Sequence, residues 1–179
     1  MTSLGEVHRR ELERFRHSMN LVGPGPIDEH FVDSELAVAD LEPAGRWVDL
    51  GSGAGFPGLV FADLYPEVAI ELVDSREKRC WFLEHVLALA PRPGVVVRCS
   101  RVETLPSETY DGVISRAFAP PAEVAEHARR LLTPSGQLVL LLQEDALVPL
   151  APGFGLVEAR SYRVGGKARR REVWTLQER

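Results

Sequence analysis

The sequence predicts an α/β fold, a mostly parallel sheet flanked by helices, preceded by short N-terminal helices and closed by a C-terminal antiparallel hairpin. Three observations predict it. Short apolar strands alternate with amphipathic segments from Arg46 to Leu142, the rhythm of a parallel sheet. A glycine-rich run, Gly51-Ser52-Gly53-Ala54-Gly55-Phe56-Pro57-Gly58, stands between the first strand and the helix that follows. The ending breaks the rhythm: two strand-like segments are joined by Gly165-Gly166-Lys167 with no helix between them, which reads as a hairpin.

The elements follow in order. Leu4, Val7, Leu12, Phe15 and Met19 recur at near-helical spacing and predict a first amphipathic helix. Gly23-Pro24-Gly25-Pro26 breaks it, and a second helix is expected from about Asp28 to Leu41. Arg46 to Leu50 is strand one, and Leu59 to Leu64 a short helix with Pro57 suited to its first turn. Val68 to Val73 is strand two. Glu77 to Leu89 is a helix with Trp81, Phe82, Leu83 and Val86 on its apolar side. Val95 to Cys99 is strand three, after the turn Pro91-Arg92-Pro93-Gly94, and Asp111 to Ser115 is strand four. Pro121 to Leu132 is a helix stopped by Thr133-Pro134-Ser135-Gly136. Gln137 to Leu142 is strand five, apolar enough to be covered on both faces. Phe154 to Val164 and Arg171 to Leu176 form the hairpin.

The chain has 179 residues, enough for one domain with a real core and short of two. It reads as a single domain over 1–179, a helical extension over 1–41 leading into a sheet-bearing core over 46–179. Its 45% apolar and 26% charged residues are ordinary globular composition. No apolar run approaches the roughly 20 residues that cross a bilayer, and Met1 to Asn20 has no signal-peptide core. Cys80 and Cys99 are too few for a disulfide framework and lack metal-ligand spacing, so both are expected to be core thiols in a cytoplasmic protein, with no metal site. The net charge of −5 argues against an indiscriminate nucleic-acid coat, but the cations are localised. From Arg160 to Arg171 there are six basic residues and no acid, and the N-terminal stretch carries Arg9, Arg10, Arg14 and Arg16.

A strand, a tight glycine turn and a helix start make a site for a nucleotide-like ligand, because glycines admit close backbone approach and the helix start offers free N–H groups. Gly53-Ala54-Gly55-Phe56-Pro57-Gly58 spells G-x-G-x-x-G, so the motif alone is ambiguous. Asp74, at the end of strand two about 20 residues on, is placed to accept from ribose hydroxyls, which holds for NAD and for S-adenosyl-L-methionine alike. Three features favour the methyl donor. Asp49 precedes the first glycine, where a carboxylate can face the donor's amino-acid end and would gain a pyrophosphate nothing. The terminal hairpin resembles the strand pair that ends class I methyltransferase sheets. A dehydrogenase usually needs a further domain for its substrate.

The stretch from Val48 to Gly58 resembles the donor loop of the ribosomal small-subunit methyltransferase G family, also called glucose-inhibited division protein B. Further matches follow in order: Leu72-Val73-Asp74-Ser75 with Lys78 and Phe82-Leu83, then Arg101-Val102-Glu103, then Ser115-Arg116-Ala117-Phe118-Ala119, then Leu132 to Gly136. Upstream, Asn20-Leu21 and His30-Phe31-Val32-Asp33-Ser34 resemble its N-terminal signature. The sequence departs from the pattern at Gln143-Glu144-Asp145, where the family usually carries Lys-Gly, and at Val22. The resemblance implies a class I methyltransferase (Rossmann-like) fold. It implies methyl transfer from S-adenosyl-L-methionine to N7 of a guanine in the decoding region of 16S rRNA, with rRNA or the small ribosomal subunit as partner. A monomer is expected.

On this reading Asp49, Gly51, Ser52, Gly53, Gly55 and Phe56 serve the donor's amino-acid end, Asp74 and Ser75 its ribose, and Arg101, Val102 and Glu103 its adenine side. Arg116 follows strand four at the ligand edge, bordering both donor and acceptor, and is the residue expected to carry catalysis by holding guanine O6 or a phosphate. Phe118 is read as stacking on the base, or as core. His30 and Asp33 frame the donor pocket, or His30 is a satisfied structural histidine. Lys167, Arg169, Arg170 and Arg171 are expected to meet RNA phosphates, or to be an exposed hairpin end. Guanine N7 already carries a lone pair, so no general base is needed, and the sequence offers no Ser-His-Asp, paired-carboxylate or metal constellation. A changed acceptor, a non-catalytic paralogue and a dinucleotide oxidoreductase stay open as alternatives at this level.

Overall fold

The computed structural model describes residues 3–177. Helix α1 (Leu4–Phe15) begins at a capping box, in which the Ser3 hydroxyl accepts from the Glu6 N–H and the Glu6 carboxylate accepts from the Ser3 N–H. It buries Leu4, Val7, His8, Glu11 and Leu12 on one face. It ends before Met19, because the chain turns at residues 16–20 and Asn20 adopts a left-handed φ of 52°. Helix α2 (Ile27–Val38) starts one residue earlier than expected and stops three earlier. Then follow β1 (Arg46–Leu50), α3 (Gly58–Leu64), β2 (Ala69–Asp74), α4 (Glu77–Leu89), β3 (Val95–Cys99), a single 3₁₀ turn at Val102–Thr104, β4 (Tyr110–Arg116), α5 (Pro121–Leu131), β5 (Leu132–Gln143), β6 (Phe154–Val164) and β7 (Lys167–Leu176).

The strands form one sheet in the order β3-β2-β1-β4-β5-β7-β6. The first five are parallel, and β7 runs antiparallel to both β5 and β6. Strand order reverses between β1 and β4, so a crevice opens at their carboxyl ends, where ligands sit in open α/β sheets. Alternation along each strand divides the core. Trp47 faces the layer of α1, α2, α3 and α4, whereas Val48 and Leu50 face α5. Asp49 shares the face of Trp47 and is therefore driven beneath the helices.

Two boundaries differ from the sequence reading for local reasons. β5 begins at Leu132, not at Gln137: Leu132 pairs with Tyr110, the ladder is interrupted, and pairing resumes at Gln137 opposite Gly112. Pro134 has no N–H to give, and Ser135 sits at φ 64°, so these residues form an irregularity within the strand and not a stop before it. β7 begins at Lys167, four residues earlier than expected, directly after the Gly165-Gly166 turn. Cys80 is buried as expected, but Cys99 is exposed: it ends β3, the outermost parallel strand, which carries no further strand on that side.

Candidate functional site

At the switch point lies a cavity of about 380 Å³. Its walls include Gly51, Asp74, Ser75, Arg101, Val102, Glu103 and Phe118, all of them expected from the sequence. Arg76, Arg79, Ser100 and Ala117 also line it and were not singled out; Arg79 and Ser100 carry no motif, and Ala117 reaches the wall only because it turns at φ 53°. Gly51 sits at φ 73°, and a Cβ there would fall 2.6 Å from the Phe118 ring. The turn therefore needs glycine twice over, for its backbone and for the aromatic packed on it.

Asp74 organises the cavity wall. Its Oδ2 accepts from Gly53 N–H at 3.0 Å and lies 3.4 Å from Arg79 Nη1, and its Oδ1 accepts from Arg76 N–H at 2.9 Å. One carboxylate thus ties the glycine turn to the start of α4. Of the expected free N–H groups, those of Gly51, Ser52, Gly53, Gly55, Phe56 and Gly58 are already paired. Gly51 and Ser52 both donate to the Val73 carbonyl, Gly55 and Phe56 to the Ser52 carbonyl, and Gly58 to Asp49 Oδ2 at 3.0 Å. Six of the turn's N–H groups are thus held within the fold, and the Asp74 carboxylate stands on the cavity wall near Arg76 and Arg101.

Asp49 does not line the cavity. It is sealed beneath the loop, and its Oδ1 has no hydrogen-bond partner. Burial pushes its carboxyl up to about 7, against the opposing pull of Gly58 N–H and the Arg116 charge. Ser52, Gly53, Gly55 and Phe56 shape the turn without forming the cavity wall.

Arg116 stands on the other side of Phe56, with its guanidinium 5.0 Å from the ring centroid. Its Nη1 donates to Asp33 Oδ2 at 3.1 Å, and Tyr162 donates its hydroxyl to Asp33 Oδ1 at 3.0 Å. His30 stacks on Phe56 at 5.4 Å, and burial pulls its imidazole below the usual value, helped by the Arg116 charge. His30 and Asp33 therefore lie beside Arg116 and not on the larger cavity, whose wall does not include Arg116 either. With Glu29, Lys167 and Arg169 they line a second cavity of about 140 Å³. Tyr162 belongs to this group and escaped the sequence reading because a lone tyrosine in a predicted strand carries no signal of its own.

The hairpin cations correct the sequence reading. Arg171 is 1% exposed; it donates to the Ala37 and Ala39 carbonyls and pairs with Glu158 at 2.6 Å, so it caps the end of α2. Arg170 pairs with Glu172 and donates to the Glu144 and Ala146 carbonyls. Arg169 donates to the Gln143 side chain, and Lys167, which is exposed, pairs with Glu29 at 3.5 Å. In the N-terminal stretch Arg9 pairs with Asp28, Arg10 and Arg14 with Glu11, and Arg16 with Glu13. Among the described residues, the side chains of Arg76, Lys78, Arg101 and Arg129 make no ion pair or hydrogen bond. Arg76 and Arg101 line the large cavity, and Lys78 flanks the groove beside it with Arg76. No cluster of metal-ligating side chains occurs among the described residues, and no helix there is long and apolar enough to cross a membrane.

The chain is similar to solved methyltransferases of class I fold. One is the 1,6-didemethyltoxoflavin-N1-methyltransferase of Burkholderia thailandensis, solved with its substrate and S-adenosylhomocysteine, at a TM-score of 0.66 and 16% identity over 99% of this chain and 92% of that one. Another is M. jannaschii TYW2, solved with AdoMet, at a TM-score of 0.64 and 11% identity over 82% of this chain and 74% of that one. At sequence level it is 34% identical to the ribosomal RNA small subunit methyltransferase G of Cellvibrio japonicus, over 94% of this chain and 82% of that protein. It is 42% identical to the same enzyme of Halorhodospira halophila, over 70% of this chain and 59% of that protein. The chain thus spans between about three-fifths and four-fifths of the length of these relatives. The family model for rRNA small subunit methyltransferase G matches residues 8–148, which contain the glycine turn, Asp74 and Arg116 together. The chain has the class I methyltransferase fold, and it belongs to the rRNA small subunit methyltransferase G family.

Proposed function

We propose that this chain transfers a methyl group from S-adenosyl-L-methionine to N7 of a guanine in the decoding region of 16S rRNA. The observation that carries the reading is the glycine turn at the sheet's switch point, with six of its N–H groups already paired and the Asp74 carboxylate on the cavity wall, Arg116 ending the strand beside it and Phe118 just beyond. A pyrophosphate binds through free loop N–H groups, and here those of Gly51, Ser52, Gly53, Gly55, Phe56 and Gly58 are already paired. An ammonium and a ribose instead meet carboxylates. Asp74 has lone pairs left for ribose hydroxyls beyond the backbone donors it already holds. Ser75, Arg101, Val102 and Glu103 enclose the adenine side, with Val102 as the apolar contact. Gly51, Ser52, Gly53 and Gly55 shape the turn around the amino-acid end, and Asp49, sealed beneath it, holds Gly58 N–H and sets a carboxyl group under that end.

When bound, the donor supplies a methyl on a sulfonium sulfur, which passes in line to a nucleophilic nitrogen. The chain's own part is positioning and charge. Arg116 holds guanine O6 or the adjoining phosphate, and Phe118, packed on the Gly51 turn, gives the base an apolar wall. The unpaired cations Arg76, Lys78 and Arg101 meet RNA phosphates at the cavity mouth, in place of the hairpin arginines, which are spent on the fold.

Expressed in a bacterial strain that lacks the family's enzyme, the chain should restore 7-methylguanine to 16S rRNA. Arg116→Ala should lower transfer by roughly 100-fold or more. Restored methylation by Arg116→Ala would remove Arg116 from the chemistry.

A further inference from the structure

Three separate parts of the chain meet at one carboxylate. Asp33 lies on α2, Arg116 ends β4, and Tyr162 lies on β6, the outermost strand beyond β5 and β7. Asp33 spends one oxygen on Arg116 at 3.1 Å and the other on the Tyr162 hydroxyl at 3.0 Å, with Arg169 Nε 3.9 Å away. Its side chain is 13% exposed and that of Arg116 20%. On its far side the guanidinium lies over Phe56, the aromatic of the glycine turn.

A free arginine is a long stem with many rotamers, and its planar fork gives directional bonds only when its plane is set. Here the plane is set from both sides, by the Phe56 ring and by one carboxylate oxygen. Asp33 is itself fixed, because a second donor holds its other oxygen. One Nη1–H of Arg116 is consumed by Asp33, and the remaining N–H groups stay available for a ligand.

We propose that Asp33 and Tyr162 are positioning residues for methyl transfer: through Asp33, α2 and the terminal hairpin together aim Arg116 at the acceptor. This rests on the reading that Arg116 faces the acceptor. It gives the C-terminal strands a task that phosphate contact does not, and it explains why a tyrosine three strands away from β4 reaches back over the sheet. Burial holds the Tyr162 phenol above its usual range, so it remains a donor throughout the physiological span.

The test is steady-state methyl transfer onto small ribosomal subunits by the full chain and by Asp33→Asn, Tyr162→Phe, Arg116→Lys and Arg116→Ala. S-adenosylhomocysteine affinity by calorimetry and thermal midpoints are measured on the same proteins. Asp33→Asn should lower kcat by roughly 10- to 100-fold, and Tyr162→Phe, which removes a single hydroxyl, by roughly 3- to 10-fold. KM and S-adenosylhomocysteine affinity should stay within about twofold of the wild type in both. The double variant Tyr162→Phe/Arg116→Lys should be no slower than Arg116→Lys alone, because a misaimed group cannot be misaimed again. A purely structural tie would instead lower the thermal midpoint with kcat intact, and independent effects would multiply in the double variant; either result overturns the proposal. Should Asp33→Asn fail to fold, Tyr162→Phe and its double variant decide. If Arg116→Ala is inactive while Asp33→Asn and Tyr162→Phe turn over normally, positioning falls and the role of Arg116 stands. If Arg116→Ala transfers normally, or the wild type transfers nothing, both fall.

Discussion

Asp49 and His8 are two buried titratable groups that grip the glycine turn from below, and their linkage to stability has opposite sign. Asp49 is raised to about 7 in the fold from an ordinary 3.8, chiefly by burial. The unfolded chain therefore gives up this proton first, so the Asp49 contribution is fully present below about pH 4 and is lost as pH rises towards 7, by up to roughly 4 kcal/mol. Asp49→Asn cannot titrate. Its stability relative to the wild type, from urea unfolding, should improve between pH 4 and pH 8; a constant difference would contradict the raised value. The same variant should weaken S-adenosylhomocysteine binding and flatten its rise with pH through about 7, where Asp49 ionises and adds a negative charge beneath the turn. His8 is pulled down to about 4, chiefly by burial; its Nε2 lies 2.6 Å from the Ala54 carbonyl and its Nδ1 has no partner. Here the unfolded chain takes up a proton first, so stability is lost as pH falls from 6.5 towards 4, by up to roughly 3 kcal/mol. His8→Phe should be relatively less costly at pH 5 than at pH 7.5 in the same unfolding measurement; a penalty independent of pH would contradict this.

At the scale of elements, the terminal hairpin shows what a sequence hides. The run Arg169-Arg170-Arg171 reads as a basic patch, yet alternation points its members to opposite faces. Arg171 shares the face of Val173, against α2, and Arg170 that of Trp174. Three like residues in a row erase the apolar–polar contrast from which a face is read, so their inward direction was not legible, although Val173-Trp174 just beyond them marked a strand buried on both sides. Arg171→Met should cost about 3 kcal/mol, because the Ala37 and Ala39 carbonyls and Glu158 lose their partner. It should leave the salt dependence of RNA binding unchanged. Arg76→Ala with Lys78→Ala should do the reverse, reducing the salt slope by about one per cation lost, with little effect on stability. A steep slope that persists in that double variant would place the phosphate contacts elsewhere. The glycine turn, by contrast, was readable. The strand before it, Pro57 and Asp74 fixed its place, and the cavity contains the seven wall residues that the sequence singled out. What could not be read was that six of its N–H groups are already paired, because that depends on the Val73 and Ser52 carbonyls and the Asp74 and Asp49 carboxylates converging on the turn.

For the whole molecule, alternation of short apolar runs with amphipathic segments was enough to give the parallel sheet, and the missing helix near the end gave the hairpin. The sheet order was not legible from those signals, and it is the order that matters for the site. Placing β4 beside β1 brings Arg116 to the glycine turn, and placing β6 outermost lets Tyr162 and α2 close over it. Gln143 and Glu144, which depart from the family's usual cation after β5, are absorbed by that hairpin: Gln143 accepts from Arg169, and Glu144 accepts from the Ser161 hydroxyl at 2.9 Å. These two side chains thus bond within the hairpin and do not line the large cavity. The central claim, methyl transfer to N7 of a decoding-region guanine, is tested most directly with small ribosomal subunits from a strain lacking the family's enzyme. The subunits are incubated with this chain and radiolabelled S-adenosyl-L-methionine, and the labelled nucleotide is mapped. Label is expected as 7-methylguanine in the decoding-region hairpin of 16S rRNA. Binding of the donor with no label on subunits or bare rRNA, or label on another atom or nucleotide, would contradict it.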